Sequence, residues 1–72
     1  MAKWLVEASP NPSHPETTGA VAETKPFMTD KAAKAFVREM IDRGYLVYVQ
    51  TAPGTRPPAK MDHGEALRWA HD

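Results

Sequence analysis

The chain lacks cysteine and net charge, and each absence excludes a class of protein. Without cysteine there is no disulfide scaffold, no thiolate metal site and no cysteine nucleophile. Nine basic residues balance nine acidic ones. A general nucleic-acid binder normally needs a basic face to displace counterions, so the balance argues against nucleic acid as a partner.

Large apolar residues are scarce and never form a long run. Leu, Ile, Val and Phe account for 11 of the 72 residues, and alanine for another 11. A chain of this size buries only about 60% of its unfolded surface, which predicts one small domain, residues 1–72, with a thin core. The N-terminal apolar run from Trp4 to Val6 ends at Glu7. It is too short for a signal peptide or a membrane span, so a cytoplasmic protein without membrane contact is expected.

Motifs for phosphate binding, metal binding and catalysis are also missing. The four glycines are isolated from one another, so there is no Gly-rich phosphate loop. His63 and His71 would lie about 12 Å apart on one helix, too far to share a metal ion, and His14 falls in a proline-rich loop. No serine stands in a recognisable motif with a histidine and a carboxylate. The sequence therefore predicts no metal, no cofactor and no catalytic residue, and it argues against an enzyme.

What the chain does contain is a helix, a glycine and a strand in direct succession. The apolar residues of the helix recur at the spacing of one buried face: Ala33, Phe36, Val37, Met40 and Ile41. Thr29 or Asp30 is the predicted N-cap. Gly44 is the predicted residue after the C-terminal cap, where a left-handed turn disfavours any Cβ. These signals predict a helix over residues 30–43.

Residues 45–51 have the composition of a central strand. The first five are aromatic or branched apolar residues with high β-propensity. Alternation places Tyr45, Val47, Val49 and Thr51 on one face, and Leu46, Tyr48 and Gln50 on the other. Both faces are therefore partly apolar, whereas an edge strand with one solvated face usually alternates more cleanly.

Two weaker strand patterns precede this unit. Residues 3–8 predict a short strand with Trp4 and Val6 on one face; the alternative is an ordered tail that packs Trp4 onto the core. Residues 20–24 alternate as an edge strand would and end before a proline. Between them, residues 9–19 hold three prolines and no large apolar residue. Nothing there offsets the entropy of ordering, so this proline-rich loop is predicted to be mobile.

A second, shorter helix is predicted over residues 61–71. Asp62 as N-cap, with Glu65 three residues later, forms an aspartate variant of the capping box. The predicted apolar face comprises Leu67 and Ala70, widened by Trp69 or Ala66.

These elements predict a small two-layer α+β domain in the order β-β-α-β-α. Its sheet would have two or three strands, packed with one long and one short helix. The strand from residue 45 would be central, and the long helix would cross one face of the sheet. The competing arrangement pairs only the first and third strands.

The function predicted from these features is that of a small non-catalytic protein-binding or interaction module. The central strand is apolar on both faces, yet only one strongly amphipathic helix is available to cover them. The uncovered surface is expected to bind a protein partner or a second copy of the chain, giving a homodimer. The candidates for this surface are Leu46, Tyr48 and Trp69.

The alternative function is a small anion- or nucleic-acid-binding domain that uses the loop after the central strand. Pro53 and Gly54 predict a type II turn there. Ligand sites of open α/β sheets lie beyond the carboxyl ends of strands, and two cations near a glycine could hold an anion. The binding residues predicted for the two functions together are Tyr48, Thr55, Arg56, Lys60 and Trp69.

Overall fold

The computed structural model of the chain describes residues 2–56 and 58–72. They form four strands and two helices, which are β1 (Trp4–Ser9), β2 (Glu23–Phe27), α1 (Asp30–Asp42), β3 (Leu46–Thr51), β4 (Lys60–Met61) and α2 (His63–Ala70). A short 3-10 turn, Pro15–Thr17, lies between β1 and β2. The strands form one antiparallel sheet in the order β2-β1-β3-β4. The α+β class is therefore confirmed, with β1 and β3 at the centre of the sheet.

The predicted number and order of strands need correction. The elements run β-β-α-β-β-α, because β4 adds a fourth strand to the two or three that were predicted. Its two residues, Lys60 and Met61, pair with Gln50 and Val49 and are too few to produce an alternating pattern. The arrangement in which only the first and third strands pair is wrong, since β2 also pairs with β1.

The second strand lies three residues later than predicted, at Glu23–Phe27 rather than at residues 20–24. It therefore includes Pro26, which faces Leu5 of β1 in the register. A proline has no N–H to give to a ladder, and an outer strand is one of the places in a sheet where it is tolerated. The proline that was expected to end the strand lies inside it for this reason.

The core lies between one face of the sheet and both helices. Its buried residues are Trp4, Val6, Val47 and Val49 from the sheet, Ala33 and Val37 from α1, and Ala66 and Ala70 from α2. Phe27, Phe36, Met40, Ile41, Met61 and Trp69 pack around this cluster. Alanine supplies three of the four helix positions, so the helices lie close to the sheet and the core is thin, as the composition predicts.

The ends of α1 follow the predicted signals closely. Thr29 is the N-cap, and its side chain accepts the Ala32 N–H at 3.2 Å. At the C-terminal end Gly44 has a φ of +90°. Its N–H donates to the Ile41 carbonyl and the Tyr45 N–H to the Met40 carbonyl, both at 3.0 Å. These two bonds form a Schellman motif, which ends the helix and turns the chain into β3.

The capping box of α2 is confirmed, and the predicted apolar face of the helix is wrong at Leu67. Asp62 accepts the Glu65 N–H at 2.9 Å, and the Glu65 carboxylate accepts the Asp62 N–H. Ala66 and Ala70 are buried, whereas Leu67 is 36% exposed. The fully buried side chains that α2 contributes are therefore both alanines.

The predicted mobile segment, residues 9–19, contains ordered hydrogen bonds. Thr17 is only 1% exposed, although it is polar. Its hydroxyl oxygen accepts the Asn11 N–H at 2.9 Å and lies 2.9 Å from the His14 carbonyl oxygen, to which it donates. The segment also packs on the end of α1, where a Cβ added to Gly44 would lie 2.7 Å from the Glu16 carboxylate. The mobility of the segment stays a prediction.

Candidate functional site

The face of the sheet opposite the helices is not covered by either of them. Val6, Val47 and Val49 point into the core, so the alternate residues of each strand point the other way. We call this surface the open face; it consists of Leu5, Glu7, Thr24, Pro26, Leu46, Tyr48, Gln50 and Lys60. Tyr48 is 40% exposed, and Leu5 and Leu46 are half-buried. The open face therefore presents apolar side chains to solvent.

The middle of the open face is a cross-strand pair of Glu7 and Tyr48. In the register Glu7 of β1 lies opposite Tyr48 on one side and Thr24 on the other. Directly opposed residues in an antiparallel pair have Cβ atoms about 4.5–5.5 Å apart, so their side chains are in reach of each other. Among the described residues, neither the Glu7 nor the Tyr48 side chain takes part in a hydrogen bond or an ion pair. Both are available to a ligand.

A groove of about 520 Å³ extends from the open face past the end of β4 to the first turn of α2. Its lining comprises Leu5, Glu7, Thr24, Tyr48, Val49, Gln50, Lys60, Met61, Asp62 and Glu65. Three of these side chains are carboxylates and one is a lysine. The groove is thus an acidic one with an apolar and aromatic floor.

The structure brings two of the five predicted binding residues together and separates the others. Tyr48 and Lys60 lie on the open face and both line the groove. Thr55 and Arg56 lie in the loop between β3 and β4. Trp69 lies in the helical layer, outside the surface to which it was assigned with Leu46 and Tyr48.

Trp69 packs in the core layer because it has an aromatic partner there. Its ring centroid lies 4.9 Å from that of Trp4, and the Lys34 ammonium lies 5.3 Å from the Trp69 ring centroid. An aromatic pair of this kind adds about 0.5–1.5 kcal/mol to the burial of its rings. Helical spacing alone does not show which neighbour a tryptophan will find.

The loop after β3 forms the predicted turn. Gly54 has a φ of +88°, and the Thr55 N–H donates to the Ala52 carbonyl at 3.1 Å. That N–H is consequently unavailable to an anion. A depression of about 350 Å³ lies beside the loop and contains one cation, Lys60, among its described lining residues.

Two carboxylates with a lowered pKa lie away from the open face. The indole N–H of Trp4 donates to Asp30 at 2.6 Å and Lys3 pairs with the same oxygen at 2.9 Å, and these contacts lower the pKa of Asp30. A backbone hydrogen bond, and then the neighbouring His14, lower the pKa of Glu16. Asp30 connects the first turn of α1 to Trp4 and Lys3, and Glu16 contacts His14 within the loop. We therefore assign both carboxylates a structural role.

Sequence reasoning missed Leu5, Glu7 and Gln50 as parts of the site. Leu5 and Glu7 alternate with buried residues in β1, but alternation does not show which face of a strand is buried until the position of the helices is known.

In the described ranges, no three metal-binding side chains lie close enough together to hold an ion. None of the helices found there has the length and apolar character needed to cross a membrane.

No known protein family, curated protein or solved structure matches this chain.

Proposed function

We propose that this protein is a small non-catalytic interaction module that binds a protein partner on the open face of its sheet. The observation that carries the proposal is Tyr48, which is 40% exposed on a central strand. Its neighbours Val47 and Val49 are buried by the helices. Aromatic residues are enriched at the centres of protein interfaces relative to the rest of the surface, and an exposed tyrosine on a central strand fits that composition.

The partner binds the face rather than the edges of the sheet. The outer strand β2 contains Pro26, which cannot donate a ladder hydrogen bond. At the other edge β4 has only two residues. Short edge strands and edge prolines are the means by which proteins prevent strand addition. Side-chain contacts on the open face are therefore the available mode of binding.

A short segment of a partner suits this surface better than a second folded copy. The open face comprises eight residues, whereas a stable interface between folded proteins uses roughly 20–30 residues a side. Self-association through this face alone would consequently be weak. The homodimer predicted from the sequence remains part of this proposal, as a weak self-association of two open faces. Sedimentation velocity over a wide concentration range measures its strength.

The alternative function, anion or nucleic-acid binding, receives less support from the geometry. Lys60 shares the groove with Glu7, Asp62 and Glu65, and these carboxylates repel phosphate. The loop offers Arg56 as a further cation, but the Thr55 N–H is already bonded. The cytoplasmic location predicted from the sequence fits an intracellular partner and is checked by fractionation of cells that express the full chain.

The test is to select binding peptides from a random hexapeptide library and to titrate them into ¹⁵N-labelled protein. Shift changes are expected to cluster on Leu5, Glu7, Tyr48 and Gln50. Tyr48→Ser should abolish binding without unfolding the protein. The matched control is Leu67→Ser, which removes a similarly exposed apolar side chain from α2. Peptides whose shifts cluster on the helical layer, and which bind the Tyr48 variant normally, would refute the proposal.

A further inference from the structure

We propose that the segment bound on the open face is basic, an extended peptide that places a lysine or arginine over Tyr48 and against Glu7. This identification of the partner's chemistry rests on the proposed function. The aromatic ring, the free carboxylates and the length of the groove support it.

Among the described residues, three of the six aromatic rings have a lysine over them, and the exposed ring of Tyr48 is not one of these. Lys3 lies 5.9 Å from the Trp4 ring centroid. Lysines 25 and 34 each lie 5.3 Å from an aromatic ring centroid, those of Phe36 and Trp69. In the part of the chain that the structure describes, no lysine or arginine lies over Tyr48. Its exposed face is therefore open to a cation from a partner.

The charge around the Tyr48 ring and along the groove is negative. Glu7 lies opposite Tyr48, is exposed, and makes no ion pair among the described residues. At the end of the groove Asp62 and Glu65 each use one carboxylate oxygen in the capping box, which leaves the other free. Lys60 is the one lysine among the described residues of the same lining. The unbalanced charge is negative, so a basic segment complements it.

The length of the groove fits a short extended peptide. Its lining runs from Thr24 on β2, across β1 and β3, to Lys60 on β4. Three strand spacings of about 4.8 Å span about 14 Å. An extended peptide covers that distance with about four residues. A hexapeptide therefore fills the groove with a residue to spare at each end, whereas a single amine would leave most of it unoccupied.

The experiment uses the hexapeptides selected on the whole protein. Lysine and arginine are expected to be enriched at a central position. Replacement of the selected arginine by citrulline, which keeps the shape and removes the charge, should weaken binding several-fold. Glu7→Gln should weaken the arginine peptide about two- to five-fold, the range for an exposed ion pair, and leave the citrulline peptide unchanged. Glu7→Lys should shift the selected peptides towards acidic residues.

The matched control is Asp42→Asn, which makes the same change in net charge on the exposed side of α1. It should leave the affinity for both peptides unaltered. Peptides that bind the open face without basic enrichment, and equally well to the Glu7→Gln variant, would overturn this inference and leave the proposed function standing. Peptides that bind elsewhere, or a library that yields no binder at all, would overturn both.

Discussion

The contact between His63 and the backbone of β3 gives the sharpest prediction about stability. Val47 donates its backbone N–H to the Nδ1 atom of His63 at 3.1 Å. The N–H of Thr51, two ladder positions away on the same edge of β3, donates to the Ala59 carbonyl. Met61 of β4 pairs with Val49, and α2 starts at His63, so no further strand residue is available opposite Val47. A side chain from the first helical residue therefore replaces the missing ladder bond.

Substitution of His63 by leucine removes this acceptor and leaves the Val47 N–H without a partner. A buried, unsatisfied backbone donor costs about 1–3 kcal/mol. For a chain of this size the total free energy of unfolding is about 4–11 kcal/mol at 0.05–0.15 kcal/mol per residue. The loss is consequently a large share of the total. With a urea m-value of about 1 kcal/mol/M, the midpoint should fall by about 1–3 M.

The matched variant is His63→Asn, whose Oδ1 atom occupies nearly the position of Nδ1 and is also an acceptor. It should recover most of the loss, while the leucine variant should not. Hydrogen exchange of the Val47 amide provides a local reading, because its protection should fall in the leucine variant and return in the asparagine variant. Equal midpoints for the two variants, with unchanged Val47 exchange, would refute the reasoning.

Three further predictions concern the loop, the end of α1 and acid stability. Thr17→Val should destabilise the fold by about 1–3 kcal/mol in urea, because it leaves the Asn11 N–H unpaired; the exposed Thr18→Val is its control, and equal effects would contradict the role of the hydroxyl. Gly44→Ala should cost about 1–3 kcal/mol, since its φ is +90° and the 3-10 turn leaves no room for a Cβ; an unchanged midpoint would show that the turn moves away. The lowered pKa of Asp30 stabilises the fold above the ordinary value of 3.8, and this contribution is lost as the pH falls through the folded pKa. Asp30→Asn should therefore flatten the loss of stability below about pH 4, and an unaltered acid limb would contradict the assignment.

The sequence predicted those parts of the fold whose signals are local. The spacing of the apolar residues, Thr29 as a cap and Gly44 as a stop lie within one continuous stretch and act on the same helix. The boundaries of α1 and β3 were accordingly predicted to within a residue. The capping box of α2 was found for the same reason.

What the sequence did not predict depends on contacts between distant residues. β4 is a strand only because its two residues pair with β3. Two residues are too few to show an alternating apolar pattern in the sequence. Thr17 is buried because Asn11 and His14 wrap around its hydroxyl, an arrangement that no apolar pattern signals. The burial of a polar side chain of this kind depends on the geometry of the loop. The composition of the segment instead predicts an exposed, mobile loop.

The candidate site was predicted in part. The physical reason is that alternation along a strand separates its residues into two faces but does not show which face the helices cover. Tyr48 was identified from its position in β3, and the structure places it on the open face. Trp69 was assigned to the same surface because the side on which α2 packs cannot be read from its own sequence. Its contact with Trp4 shows that the Trp69 side chain lies in the helical layer.

The thin core and the open face have a common origin in the shortage of large aliphatic residues. α2 contributes Ala66 and Ala70 to the core, and these small side chains let it lie beside α1 on the same face of the sheet. A helix that carried leucines at those positions would need more room than that layer offers. With both helices on one face, no element among the described residues remains to cover Leu5, Leu46 and Tyr48. The exposure of Tyr48 is therefore a consequence of how this chain builds its core, and the exposed carboxylate of Glu7 opposite that ring is the basis of the proposed preference for a basic segment.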